Sequence, residues 1–306
     1  TNDILVQTPY IAAMGEGGEP WVNGASMNNQ GVEFTVSFKS DPSSEFQWAV
    51  SANIGTYKTE LTDLPSNVIN KYAGDGVHDL ILGRSPNSAY GLVADGIFKT
   101  QEEVDAHADQ PGKAVGRIRY KDLDGDGVIN ETYDRTWIGC YDPDFFGGLN
   151  FDFAYKGFDL NLFFEGMFGN DVNSDWKKES DIWLFTNPAW KNHATRMLGG
   201  WSPDNPNSDI PAISNNTANQ EQRFSSWFIE DGSYIKLRNI ELGYTFPTKL
   251  IKKMHMSNLR LYAAAYNVFT LKKFWGDDKY TSFDPERPSY HYLTPFTFNF
   301  GINVSF

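Results

Sequence analysis

Three carboxylates at alternate positions, Asp122, Asp124 and Asp126, followed by Gly127, are the sharpest chemical signal in the sequence. Acidic side chains spaced this way along a loop converge on one hard cation, and the glycine allows the tight bend that brings them together. Val128 would add its carbonyl oxygen, and Asn130 its amide oxygen, directly or through water. The helix-flanked calcium loop asks for a bidentate Glu at its twelfth position. Tyr133 stands there instead, with Asp134 one residue late. The predicted ligand set for a structural Ca2+ is therefore Asp122, Asp124, Asp126, Val128, Asn130 and Asp134. The same residues also read as an acidic, Gly-rich turn whose Asp side chains bond nearby amides. Either way the group stiffens a long loop.

A second set is aromatic. Trp176, Trp183, Trp190, Trp201, Trp227 and Trp275, with Tyr280, Tyr290 and Tyr292, lie in segments without strand periodicity. Their rings suit stacking on sugars, so Trp183, Trp190, Trp201, Trp275 and Tyr290 are predicted contacts for a substrate or partner; the plainer role is packing long loops together. Asp204, Asp209, Arg223, Arg238 and Asp284 are polar groups able to reach a lumen, without a diagnostic spacing. The five histidines are scattered, and there is no H-E-x-x-H, G-x-S-x-G or phosphate-loop motif, so the chain reads as a non-enzyme.

The elements that must position these groups are strands. From Phe296 to Phe306, Phe296, Phe298, Phe300, Ile302, Val304 and Phe306 alternate with Thr297, Asn299, Gly301, Asn303 and Ser305. A side-chain period of two puts all the apolar residues on one face. Similar runs centre on Phe34, Trp48, Phe151, Leu162 and Leu242. Ile235 and Leu237 are out of phase with Ile240, Leu242, Tyr244 and Phe246, which predicts a bulge or a continuation above the lipid. A run over residues 258–271 is ambiguous, because Tyr262 to Tyr266 suits either face.

Short connections at residues 40–44, 156–157 and 247–257 alternate with long ones at about 56–146, 169–232 and 272–294. Short periplasmic turns alternating with long outer loops are how outer-membrane β-barrels are built. Composition agrees: 15% of the chain is aromatic, yet mean hydropathy is -0.47, as expected when a lumen face and loops dilute a lipid face. No stretch approaches the roughly 18 apolar residues of a spanning helix. A net charge of -13 argues against a nucleic-acid partner. One cysteine, Cys140, allows no internal disulfide. The opening Thr1-Asn2-Asp3 reads as internal to a longer protein. About seven strands leave two open edges, which predicts further strands elsewhere.

The ordered stretches that resemble a known family run nearly the whole chain. They include Thr1-Asn2-Asp3-Ile4-Leu5, Asn29-Gln30-Gly31-Val32-Glu33, Asp95-Gly96-Ile97-Phe98-Lys99, Tyr120 to Gly127 and Tyr155-Lys156-Gly157-Phe158-Asp159-Leu160. Trp201 to Pro206, Asp231 to Arg238, Leu242-Gly243-Tyr244-Thr245, Asn267-Val268-Phe269 and Asp284-Pro285-Glu286 complete the set. The chain resembles the SusC/RagA family of TonB-dependent outer-membrane transporters of Bacteroidetes. The resemblance implies an all-β fold: residues 1–306 as the C-terminal part of a plugged barrel of about 22 strands, with three long extracellular loops. It implies that the plug, the remaining strands and the segment that meets TonB lie outside this chain. It further implies a SusD-like surface lipoprotein as partner, outer-membrane lipid around the wall, and a glycan, or in some members a peptide, as cargo.

A rival reading from another class is a secreted, calcium-binding β protein that binds or degrades carbohydrate. The two differ in where the apolar face goes: into lipid for a barrel, against a second sheet for a sandwich.

Overall fold

The structure is a computed structural model, and it describes residues 1–7, 21–66, 68–69, 79–182, 193–214, 217–272, 281–288 and 292–306. In chain order the strands are β1 (Ile4–Gln7), β2 (Trp21–Lys39), β3 (Phe46–Asp63), β4 (Ser88–Leu92), β5 (Ala94–Ile97), β6 (Ile118–Tyr120) and β7 (Arg135–Cys140). They continue as β8 (Phe145–Tyr155), β9 (Phe158–Phe168), β10 (Asp171–Asn173), β11 (Ile229–Asp231), β12 (Tyr234–Thr245), β13 (Asn258–Lys272) and β14 (Thr297–Ser305).

Eight strands form one antiparallel sheet in the order β1-β2-β3-β8-β9-β12-β13-β14. Seven of them are the dyad runs of the sequence. The eighth, β1, is a four-residue strand that the sequence pattern does not announce. Register carries the apolar residues into continuous rows across one face. One row runs Phe38, Val50, Phe151, Leu162, Ile240, Ala265, Phe298. The next runs Trp48, Phe153, Leu160, Leu242, Ala263, Phe300. No second sheet covers this face among the described residues: Phe34 is 62% exposed and Phe300 82%. That outcome selects the barrel over the sandwich.

Pairing also fixes the two ambiguities of the sequence. In β13, Ala263 lies between Leu242 and Phe300, so Leu259, Leu261, Ala263 and Ala265 take the apolar face. In β12 the register shifts between Leu237 and Asn239, leaving Arg238 as the extra residue opposite β9. The bulge moves the phase by one, so Ile235 and Leu237 join Ile240 and Leu242 on the same face.

The three short connections are compact. Lys156 and Gly157, both at positive φ, form the two-residue hairpin that links β8 to β9. At the same end of the sheet Phe46 meets Tyr155 with ring centres 6.3 Å apart, and Phe158, Tyr244 and Phe246 follow one another at 4.6 and 5.0 Å, an aromatic band where lipid meets water.

Strands β2 and β3 have 19 and 18 residues. At about 3.3 Å per residue they run roughly 60 Å, well beyond a lipid band of about 25 Å. Their far halves and the long connections hold what a barrel wall itself lacks, an apolar core. Leu92, Ile118, Tyr120, Ile129, Ile182 and Phe228 form one cluster, drawn from two different long connections. Val6, Ala25, Leu61, Leu64, Val68 and Ile81 form another at the far end of β1, β2 and β3.

Candidate functional site

Asp122, Asp124 and Asp126 follow β6 in the first long connection, and the structure brings them together: one oxygen of each lies within 4.8 Å of the others. Backbone amides shape the loop. Gly125 and Gly127 donate to Asp122 Oδ1 and Oδ2 at 2.7 and 2.9 Å, Asp126 to Asp124 Oδ1 at 3.1 Å, and Val128 to Asp126 Oδ1 at 2.7 Å. Gly125 and Gly127 sit at φ +76° and +85°, which favours glycine at both bends. Burial pushes the Asp122 carboxyl up, but the Gly127 and Gly125 amides outweigh it and hold it below the ordinary value. Asp124 goes the other way. The Asp126 amide lowers it, yet desolvation and the charges of Asp126 and Asp134 leave it raised.

Asp134 does not join the three. It is fully buried and takes the amides of Leu123 at 2.8 Å and Asn130 at 2.7 Å, so it closes the loop from beneath. Asn130 Oδ1 accepts the amides of Thr132 and Tyr133 at 2.8 and 3.0 Å. The cluster fits a hard cation by shape, since ligands about 2.3–2.6 Å from Ca2+ lie at most about 5 Å apart. It offers few donors: three carboxylates come together, and Tyr133, 63% exposed, stands where a bidentate Glu would.

The polar face of the sheet is cross-linked. Asn161 Nδ2 donates to Asn150 at 3.0 Å and Asp152 at 2.7 Å, and Asn239 donates to Asn161 at 3.0 Å, tying β8, β9 and β12. Arg260 on β13 bonds Asp159 on β9 through both Nε and Nη2, and Glu241 on β12 at 2.7 Å. Gly243 makes this possible: a Cβ there would lie 2.4 Å from Arg260 Nη2.

At the outer end of that face a charged cluster fastens residues 281–288 to the wall. Lys236, only 3% exposed, holds Asp284 at 2.7 Å and Glu286. Arg238, the bulge residue, bonds Glu165 of β9 at 2.8 Å and also Glu286. Burial pushes the Glu286 carboxyl up, but Arg238 and Lys236 prevail and hold it down to about 2. Sequence reasoning named Arg238 and Asp284 singly and missed Lys236, Glu165 and Glu286. The only signal was Asp284-Pro285-Glu286, which gave no hint of its partners.

Between the long connections, Arg117 and Glu221 form a buried pair at 2.6 Å, and Glu221 also accepts the Ile118 amide at 2.9 Å. Burial raises Glu221 and lowers Arg117, so desolvation outweighs their mutual attraction. Of the predicted contact residues, Trp183, Trp190, Trp275 and Tyr290 lie outside the described residues. Trp201 packs over Gly116, where a Cβ would come 2.7 Å from its ring, and so joins the first two long connections.

No family model matches the chain. Aligned over its whole length, the chain is 29% identical to TonB-dependent receptor P3 of Formosa agariphila and 25% to TonB-dependent receptor SusC of Bacteroides thetaiotaomicron. It spans 31% and 29% of those proteins' lengths. Among solved structures, the RagAB peptide transporter superposes on all of this chain with a TM-score of 0.75 and 23% identity, the chain covering 32% of it. The same importer in its open-open state gives 0.74 and 21%. The likeness to SusC/RagA-type TonB-dependent receptors thus runs the whole chain, over about a third of their length. TonB-dependent receptors are outer-membrane proteins, and the bare apolar face is the wall that meets that membrane.

Proposed function

We propose that this chain supplies barrel wall and extracellular loops to a TonB-dependent importer that takes oligosaccharides handed over by a SusD-like surface lipoprotein. The carrying observation is the two-faced sheet: apolar rows on one side, a hydrogen-bonded polar face on the other, and the long connections gathered at one end. No chemistry on substrate is assigned to the chain; its work is to enclose and admit. The plug and remaining strands are the further partners. β1 pairs with residues 21–25 of β2 alone, and β14 pairs with β13 alone, so both edges of the sheet need strands from outside the described residues. In lipid, an unpaired edge amide or carbonyl costs several kcal/mol. TonB would act through the plug-bearing part.

Cells lacking the whole transporter should fail to grow on the cargo oligosaccharide as sole carbon source, yet grow on its monosaccharide. Unimpaired growth on oligosaccharides, with loss of growth on oligopeptides, would move the cargo to peptides. The RagAB neighbours favour that second reading. The Asp122 loop, on the same reading, holds a structural Ca2+. With so few protein donors its affinity falls in the range of weak extracellular sites, about 10⁻⁴–10⁻³ M. Calcium titration of the intact transporter checks this. Protease protection of residues 122–134 should rise with Ca2+ and not with Mg2+, and protection that ignores Ca2+ up to about ten times that range rules it out.

A further inference from the structure

The turn that joins β12 to β13 carries a concentrated positive charge. From Leu242 to Gly276 the sequence holds no Asp or Glu, in a chain whose net charge is -13. Lys249, Lys252 and Lys253 stand in this turn. All three are exposed, and none has a side-chain partner among the described residues. The turn is nevertheless well built. A short helix, Thr248–Ile251, runs into a 3-10 turn, Lys252–Met254. His255, at φ +57°, closes it: its amide donates to the Lys252 carbonyl at 3.1 Å and the Met256 amide to the Ile251 carbonyl at 3.3 Å, the paired bonds of a left-handed helix cap. Ile251 is turned inward and only 2% exposed. Leu250 and Met254, one helical turn apart, are 63% and 58% exposed. Wound at about 3.6 residues per turn, the three lysines fall in one sector of about 100° and Leu250, Ile251 and Met254 in another.

The place of the turn in the wall is a separate pointer. Leu242, Tyr244 and Phe246 continue the lipid-side row at period two, with the rings of Tyr244 and Phe246 5.0 Å apart. Pro247 starts the turn one residue beyond Phe246, so the chain leaves the wall at the aromatic band that borders water. On its exit side the Ser257 amide donates to the Ser305 carbonyl at 2.7 Å, which ties the turn to the end of β14. An apolar pair at this level borders hydrocarbon, and lysine stems reach from it to the headgroups.

A segment with one cationic and one apolar face, lying at an interface, binds anionic lipid: the apolar side chains enter the acyl boundary, and each lysine near the surface strengthens the attraction. We propose that residues 247–257 form an anchoring site for anionic phospholipid of the inner leaflet, with Leu250 and Met254 among the acyl chains and Lys249, Lys252 and Lys253 on the phosphates. The site fixes the height of the wall in the bilayer at this end. It draws on the wall and on the periplasmic placing of the short turns, and is independent of what the importer carries.

The test is fluorescence quenching in the intact transporter. Met254→Cys, in a Cys140→Ser background, carries an environment-sensitive fluorophore. The protein is reconstituted in phosphatidylcholine bilayers that hold equal small shares of a lipid brominated on its acyl chains, either phosphatidylglycerol or phosphatidylcholine. Both should quench, and the brominated phosphatidylglycerol should do so as if enriched at the site about fivefold or more, the share expected from one lysine near an anionic surface. Lys249→Gln, Lys252→Gln and Lys253→Gln together should bring the two quenchers level. Raising salt to about 1 M should level them without any substitution, which decides the matter if the triple variant misassembles. No quenching by either lipid places the apolar pair against protein or water and overturns the site. Equal quenching at low salt, or a preference that survives both treatments, overturns the charge recognition. On whole cells an impermeant thiol reagent should spare Met254→Cys, and labelling there overturns the inner-leaflet source. Quenching does not depend on transport, so its failure leaves the import reading standing.

Discussion

Arg260 on β13 grips Asp159 on β9 across a strand that lies between them, and Gly243 of that strand has no side chain to stand in the way. Gly243→Val should displace the guanidinium and leave Asp159 and Glu241 without their shared cation. Arg260→Ala removes it directly. Each should lower the barrel's unfolding free energy by about 1–3 kcal/mol, and the double variant should cost little more than either alone. Urea midpoints of the refolded transporter read this out, and fully additive losses would separate Gly243 from the bridge.

The lipid face makes its own demand. Phe300 stands in the apolar row beside Ala263, while Asn299 points the other way beside Ala264. Phe300→Arg should reduce the heat-modifiable fraction sharply, because a cation on a barrel's lipid face costs roughly 2–4 kcal/mol at mid-bilayer. Asn299→Arg should assemble normally. Equal tolerance of the two would contradict the assignment of faces.

Lys236 and its acids set a pH limit on the third loop. Glu286 titrates from 4.5 when free to about 2 in place. A depressed carboxylate contributes stability that is complete above the free value and is lost as pH falls toward the folded one. The protection factors of residues 281–288, with the intrinsic pH dependence of amide exchange divided out, should therefore be flat above about pH 5 and fall between about 4.5 and 2. Asp284→Ala, which strips a buried cation of one partner, should loosen the same residues at neutral pH by up to about 3–5 kcal/mol.

Sidedness can be checked on whole cells. With Cys140→Ser as background, an impermeant thiol reagent should label Asn207→Cys in the second long connection and spare Ser43→Cys in the first short turn. Both positions are exposed. The reverse pattern would invert the topology.

The strands were legible because a two-residue period needs no partner to be seen: Phe298, Phe300 and Ile302 declare their face alone. The phase of β13 was not, since Tyr262 to Tyr266 fits both faces until pairing sets Ala263 beside Phe300. The bulge was visible as two apolar runs out of step, although which residue absorbs the step, Arg238, is decided by β9. Asp122, Asp124 and Asp126 were legible because their partners are amides within a few residues. The Lys236, Glu286 and Glu165 contacts span up to 73 residues, and single charged residues in a chain with 39 acidic side chains carry no mark of their distant partners.

The apolar cluster shared by the two long connections has an entropic consequence. Closing long loops costs chain entropy that grows only as about (3/2)RT ln n, and burying Leu92, Tyr120, Ile129 and Phe228 together meets that cost during folding. On the proposed reading, a lipoprotein that lands on these loops would meet residues that this cluster already holds in place. Little of its binding free energy would then go into ordering those residues, and its dwell time would follow from the contacts it makes and not from how often they happen to assemble.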